Sequence, residues 1–201
     1  WFSDNRLTLN IPKSKFMVFG TAQSANFKSA QAICAQLNGT ALERTKNFKY
    51  LGVIVNENMS WADQVDLISK KINQRIGVIR RVSKIVPLDS RVTLYNSLVA
   101  PLFDYGDIIW GDKNNETLMK DLQLLQNKAA KTVLDRPPSS SASDALRSLN
   151  MKPLSERRKL HRLITVYKCL NNGIDFDFDF KLNSSYHNYN TRSKNNLHLK
   201  N

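Results

Sequence analysis

Residues 60–84 read SWADQVDLISKKINQRIGVIRRVSK, and the fold class turns on their period. Val65, Ile68, Ile72, Ile76 and Ile79 recur at steps of three and four, the spacing of one helix face. At about 100° per residue these apolar positions span an arc of about 80°, while Lys70, Arg80, Arg81 and Lys84 fall within about 100° on the far side. One face is core and the other cationic. Ser60 followed by Asp63 matches a capping box, so the helix is expected to start there, and Pro87 is expected to end it. With Lys71 and Arg75 added, the cations between Val65 and Val86 face Asp66 as their only carboxylate. A polyanion is the default partner for such a face.

Downstream the helical period continues. Val92, Tyr95, Leu98 and Val99 form a stripe running to Pro101, and residues 102–110 are apolar and aromatic, punctuated by Gly106 and Gly111. Leu118, Leu122, Leu125, Ala129 and Val133 put a second long amphipathic helix over residues 116–134. Residues 136–142, with Pro137-Pro138 and a serine run, read as a linker. A short helix is expected over 143–149 and a longer one over 154–171, with Leu160, Leu163, Ile164, Tyr167 and Leu170 inside and Arg157, Arg158, Arg162 and Lys168 outside. After Gly173 the chain turns Asn- and Ser-rich and is expected to be extended or disordered.

Upstream, period and composition change. Residues 16–19 are a short apolar run ended by Gly20, Asn38-Gly39 is a turn signal, and Tyr50-Leu51-Gly52-Val53-Ile54-Val55 is β-rich and broken by one glycine. The Ala-rich stretch 27–37 reads as a helix. The expected class is α+β: a short β segment over 1–60, a mostly α-helical bundle over 61–135, the linker 136–142, a helical extension over 143–173 and the tail 174–201.

Composition sets the outer limits. The 201 residues carry 30 Lys+Arg against 17 Asp+Glu, a net charge of +13, with 41% hydrophobic residues, which is the globular range. Apolar runs such as 98–103 fall far short of the roughly 20 residues of a membrane-spanning helix. Cys34 and Cys169 stand far apart with no CxxC, so free thiols and an intracellular setting, nuclear or cytoplasmic, are expected. The opening at Trp1, inside an amphipathic pattern, reads as a fragment or processed piece.

Self-sufficient catalysis is not indicated by the residues. Asp175, Asp177 and Asp179 alternate with phenylalanines as a solvated acidic edge, the glycine and glutamate of a calcium loop being absent from their positions. Asp104, Asp107 and Asp112 lack a fixed period and read as solvated or capping groups. His161, His187 and His198 have no nucleophile in a recognisable setting, and neither GxGxxG nor GxxxxGK[ST] occurs. The cationic face would track phosphates, with Tyr50, Trp61, Tyr95 and Trp110 as candidates for stacking on bases or sugars, each of them also a candidate core residue.

Motif order adds a family resemblance. Trp1, Asn5, Leu7, Leu9-Asn10, Lys13-Ser14-Lys15, Met17-Val18-Phe19, Lys49-Tyr50-Leu51-Gly52-Val53-Ile54 and Ser60-Trp61 resemble the downstream polymerase motifs of reverse transcriptases from non-long-terminal-repeat retrotransposons. Arg91, Leu94-Tyr95-Asn96-Ser97-Leu98, Pro101, Tyr105 and Trp110, then Leu122 and Leu125-Gln126-Asn127-Lys128-Ala129, resemble the helical region after the palm, and Tyr189-Asn190-Thr191-Arg192-Ser193 the C-terminal stretch.

The resemblance implies that residues 1–60 are the end of a polymerase palm and 61–135 a thumb packing on an RNA/DNA primer–template. It implies that Lys13 lies near the incoming nucleotide as a general acid for the pyrophosphate leaving group. Tyr50, Leu51 and Gly52 would belong to the primer grip, a hairpin near the primer 3′ end, and Lys70, Lys71, Arg75, Arg80, Arg81 and Lys84 would contact nucleic acid. Mg2+ is implied for the parent polymerase. In the family the paired catalytic aspartates lie just upstream of the Trp1 motif, and no Asp-Asp pair occurs here, so no metal or cofactor site is expected in this chain, which alone should not polymerise. The competing expectation is a non-enzymatic basic helical module that binds nucleic acid or acidic proteins.

Overall fold

The computed structural model describes residues 2, 4–20, 33–111, 115–171, 183–185, 189 and 192. It is an α+β protein of two compact units that divide after Met151. The β part of the first unit consists of short pairings. β1 (Lys15–Phe16) runs parallel to β4 (Glu43–Arg44), β2 (Gln36–Leu37) and β3 (Thr40–Ala41) form a hairpin, and β5 (Asn47–Tyr50) and β6 (Val53–Asn56) form another. The Asn38-Gly39 turn closes its hairpin with both φ angles positive, 50° and 76°, as a type I′ turn requires. Of the helix expected over 27–37, residues 27–32 lie outside the described residues. Its end is corrected: Gln36–Leu37 is a strand, because the Asn-Gly turn sets its register against Thr40–Ala41.

The deciding stretch forms α1 (Ala62–Val82), and Val65, Ile68, Ile72, Ile76 and Ile79 are all buried. Its start differs from the capping box. Trp61 is the N-cap, and Asp63 accepts from the Asn56 side chain (Nδ2 to Oδ2, 3.3 Å) rather than reaching back to Ser60. Asn56 also takes the Ser60 N–H on its Oδ1 at 2.8 Å, so the end of β6 organises the helix entry. Buried Gln64 fixes the same junction, its Oε1 accepting from the Ile54 N–H at 2.8 Å.

α2 (Leu88–Leu94) follows Pro87 and leads into a π turn, Tyr95–Val99, then α3 (Ala100–Asp104). Pro101 therefore does not stop the helical run. A regular helix would push its ring into the Ser97 carbonyl and waste that acceptor; the turn instead widens just upstream, where the Ala100 N–H donates to the Tyr95 carbonyl. Arg75 Nη1 donates to the Leu98 carbonyl in this widened turn at 2.8 Å, tying α1 to it. Arg75→Met is expected to cost about 1.5–3 kcal/mol in urea denaturation, the range for a partly buried bond to a charged donor. Lys70→Met, which removes the exposed Lys70–Asp66 pair, is expected to cost under about 1 kcal/mol. Equal costs would deny Arg75 its structural role.

Tyr105 and Gly106 turn the chain into α4 (Asp107–Trp110), and α5 (Glu116–Val133) packs on α1 with Leu122, Gln126, Ala129 and Val133 buried. Asp107 is buried in the first turn of α4, so of the two readings, solvated or capping, burial removes the solvated one, while Asp112 lies outside the described residues. Residues 136–142 connect α5 to α6 (Ala142–Ser148) inside the first unit, and Ala130 packs with Ala145 and Leu146 across that connection. Ser141 caps α6 by accepting the Asp144 N–H.

In the second unit α7 (Leu154–Leu170) has the expected length but not the expected faces. Leu160, Leu163, Ile164, Tyr167 and Leu170 are exposed, whereas Leu154 and Arg158 are buried. The stripe was correctly periodic, but the described residues do not cover it. Residues 174–182, including the alternating aspartates, and all of 186–201 except Tyr189 and Arg192 lie outside the described residues. No described helix is long and apolar enough to cross a membrane.

Candidate nucleic-acid interface

Lys13 ends a 3-10 turn, Ile11–Lys13, with Pro12 at its second position and Asn10 capping it by accepting the Lys13 N–H at 3.2 Å. The turn delivers the chain into β1, where Lys15 pairs with Glu43 across the strands at 2.8 Å. Farther along, the Gly20 N–H donates to the Glu57 carbonyl, bringing the 13–20 segment alongside the end of the β5–β6 hairpin. Between them lies an open groove of about 470 Å3, in which Lys13 and Tyr50 meet Phe16, Phe19 and Phe48. Flat apolar rings beside the Lys13 ammonium suit a base stacked near a phosphate, the Lys15 ammonium being held by Glu43.

The hairpin carrying Tyr50 is a two-residue turn of positive φ, Leu51 at 45° and Gly52 at 88°. Leucine is costly in that conformation, and strain of this kind persists where neighbours hold it. Tyr105 is the neighbour: its hydroxyl donates to the Leu51 carbonyl at 2.6 Å, and a Cβ on Gly52 would come within 3.2 Å of its ring. The glycine is thus required both by the turn and by the tyrosine beneath it. Tyr50 and Leu51 themselves are 63% and 74% exposed, so the tip is open to a partner.

The cations of α1 separate into groups. Arg80, Arg81 and Lys84 are exposed, Lys70 is exposed but paired with Asp66, Lys71 is half-buried, and Arg75 is engaged with Leu98. Among the aromatics considered for stacking, Trp61, Tyr95 and Trp110 are buried, leaving Tyr50. Sequence reasoning missed Phe16, Phe19 and Phe48 as groove residues. The alternation of Phe48 and Tyr50 along β5 was the available signal, since residues two apart share a strand face. It also missed Lys128, Lys131 and Arg136, which line a second groove with Arg80 and Lys84.

A magnesium ion requires carboxylate or other hard oxygen ligands. The groove at Lys13 is lined by the Lys13 ammonium and the Glu43-paired Lys15 and, among its described lining residues, by no carboxylate, so these residues do not fit the ion.

Comparison with known proteins gives the class. The chain is similar to RNA-directed DNA polymerases of retrotransposons, the non-long-terminal-repeat type that its motifs resemble. A probable RNA-directed DNA polymerase from transposon BS of Drosophila melanogaster is 25% identical over 129 residues, 63% of this chain. The RNA-directed DNA polymerase from mobile element jockey of Drosophila funebris is 25% identical over 123 residues, 59% of this chain. The Pol polyprotein from type-1 retrotransposable element R1 of Bradysia coprophila is 34% identical over 80 residues, 38% of this chain. These matches span only 14%, 13% and 8% of the respective relatives. No family model and no solved structure matches.

Proposed function

We propose that this chain is the part of a retrotransposon reverse transcriptase that grips the primer–template, working inside the cell, and that it lacks the carboxylates needed to polymerise alone. The observation that carries the reading is the meeting of Lys13 and Tyr50, distant in sequence, in one groove of aromatic side chains. The nucleotide side of that groove belongs to Lys13, whose ammonium would stand at the pyrophosphate of the incoming nucleotide. The primer side belongs to Tyr50, which lines the groove, with Leu51 and Gly52 at the adjoining turn of a hairpin held by Tyr105. Arg80, Arg81 and Lys84 continue the contact along the phosphates of the hybrid, whose regular backbone suits recognition by shape. Mg2+ and its carboxylates would come from the remainder of the polymerase.

The test is binding of an RNA–DNA hybrid duplex across a salt series, with nucleotide incorporation assayed in parallel. Affinity is expected to fall steeply with salt and incorporation to be absent. Reversing Arg80, Arg81 and Lys84 to glutamate is expected to lower hybrid affinity by about tenfold or more and flatten the salt slope by about 2–3. Affinity that ignores salt would refute phosphate tracking, and incorporation by the chain alone would refute the missing carboxylates. Equal loss on every polyanion tested would favour a generic basic module.

A further inference from the structure

A second groove, of about 750 Å3, lies between the last turn of α1, the C-terminal half of α5 and the Pro137-Pro138 connection. Five cations line it, Arg80, Lys84, Lys128, Lys131 and Arg136, against one carboxylate, Asp135. How these cations are satisfied sets the groove apart. Lys128 donates to the Asn73 side-chain oxygen at 2.7 Å, Lys131 to the Pro138 carbonyl at 2.6 Å and Arg136 to the Ser148 hydroxyl at 3.3 Å. All three acceptors are neutral. Asp135 accepts from Ser83, and among the described residues no carboxylate pairs with any of the five cations. Elsewhere in this unit Lys15, Arg44, Lys70, Lys120 and Arg147 each have a carboxylate partner. Neutral acceptors orient a cation without cancelling its charge, so the groove keeps a concentrated positive field.

The rest of its lining mixes apolar Leu124, 64% exposed, Pro138 and Ala142 with the neutral polar side chains of Ser83, Asn127 and Thr132. Apolar and neutral polar side chains beside cations suit a strand whose bases and sugars are open to contact, whereas a duplex keeps its bases paired and stacked inside. We propose that this groove binds the phosphodiester backbone of an unpaired nucleic-acid strand, a site distinct from the aromatic groove at Lys13. This rests on the reading of the chain as a primer–template gripping unit and adds a second, single-stranded partner to it.

The test compares three probes on the full chain: an oligouridylate of about 12 nucleotides, within the site sizes of single-strand binders, an RNA–DNA hybrid, and an oligoglutamate peptide. The variant carries Lys128→Gln, Lys131→Gln and Arg136→Gln. Its affinity for oligouridylate is expected to fall about tenfold, and the salt slope by about 2, from about 0.7 per neutralised contact on a single strand. Hybrid affinity is expected to change less than about twofold on the same scale. Should the variant fail to fold, acetylation of the unmodified chain gives the same answer: bound oligouridylate, and not bound hybrid, should protect Lys128 and Lys131, while Lys120 is protected by neither. Equal losses on hybrid and oligouridylate, an equal loss on oligoglutamate, or no protection would overturn the proposal. Hybrid binding that survives such a result would leave the primer–template reading standing. Oligouridylate binding without hybrid binding would sink that reading and keep the groove.

Discussion

Trp110→Ala is expected to lower the unfolding free energy by about 3–5 kcal/mol, the range for deleting a large aromatic side chain from a packed core. Trp110 is fully buried, and its Nε1 donates to the Tyr105 carbonyl at 2.8 Å. Tyr105 in turn donates its hydroxyl to Leu51, so two hydrogen bonds run from the bundle core to the hairpin tip. Gly106, at φ 65°, lets the chain turn between them; a Cβ there would meet Val53 at 3.3 Å and Trp110 Nε1 at 3.6 Å. Truncating Trp110 therefore empties the core and frees the carbonyl that orients Tyr105. Urea denaturation should show the midpoint falling with little change in slope. A loss below about 1 kcal/mol would mean that the surrounding helices collapse into the space and that Trp110 is not the support of the hairpin.

The sequence was legible where one physical rule acted alone. The α1 stripe from Val65 to Ile79 and the Asn38-Gly39 turn emerged as read, because each is set by local period or local φ. Reading failed where a group outside the pattern decides. Ser60 and Asp63 have the letters of a capping box, yet Asn56 reaches both ends of it first. Pro101 has the letter of a helix stop, yet a π turn absorbs it. Leu160, Leu163 and Ile164 keep a helical period without burial, since a stripe states which face is apolar and not whether anything covers it. The candidate site divides the same way. The cationic face of α1 could be read from spacing, but the meeting of Lys13 with Phe48 and Tyr50, and of Arg80 with Lys128 and Arg136, exists only after folding.

Gly52→Val should be the most damaging change at the hairpin, costing about 2–4 kcal/mol of stability and weakening hybrid binding with it. The backbone contributes first: Gly52 sits at φ 88°, where a β-branched residue is strained by about 1–2 kcal/mol or more. The side chain contributes second, because the new Cβ would lie 3.2 Å from Tyr105 Cε1 and 3.4 Å from its hydroxyl oxygen. That ring can yield the few tenths of an ångström required only by lengthening the 2.6 Å bond to Leu51, the contact that offsets leucine's own unfavourable φ of 45°. A double-mutant cycle separates the two contributions. In a Tyr105→Ala background the steric part disappears and only the backbone strain remains, so Gly52→Val should cost about 1 kcal/mol less there than in the unmodified chain. If the cost is the same in both backgrounds, the hairpin does not rest on Tyr105, and the route from Trp110 to the hairpin tip is broken at that step.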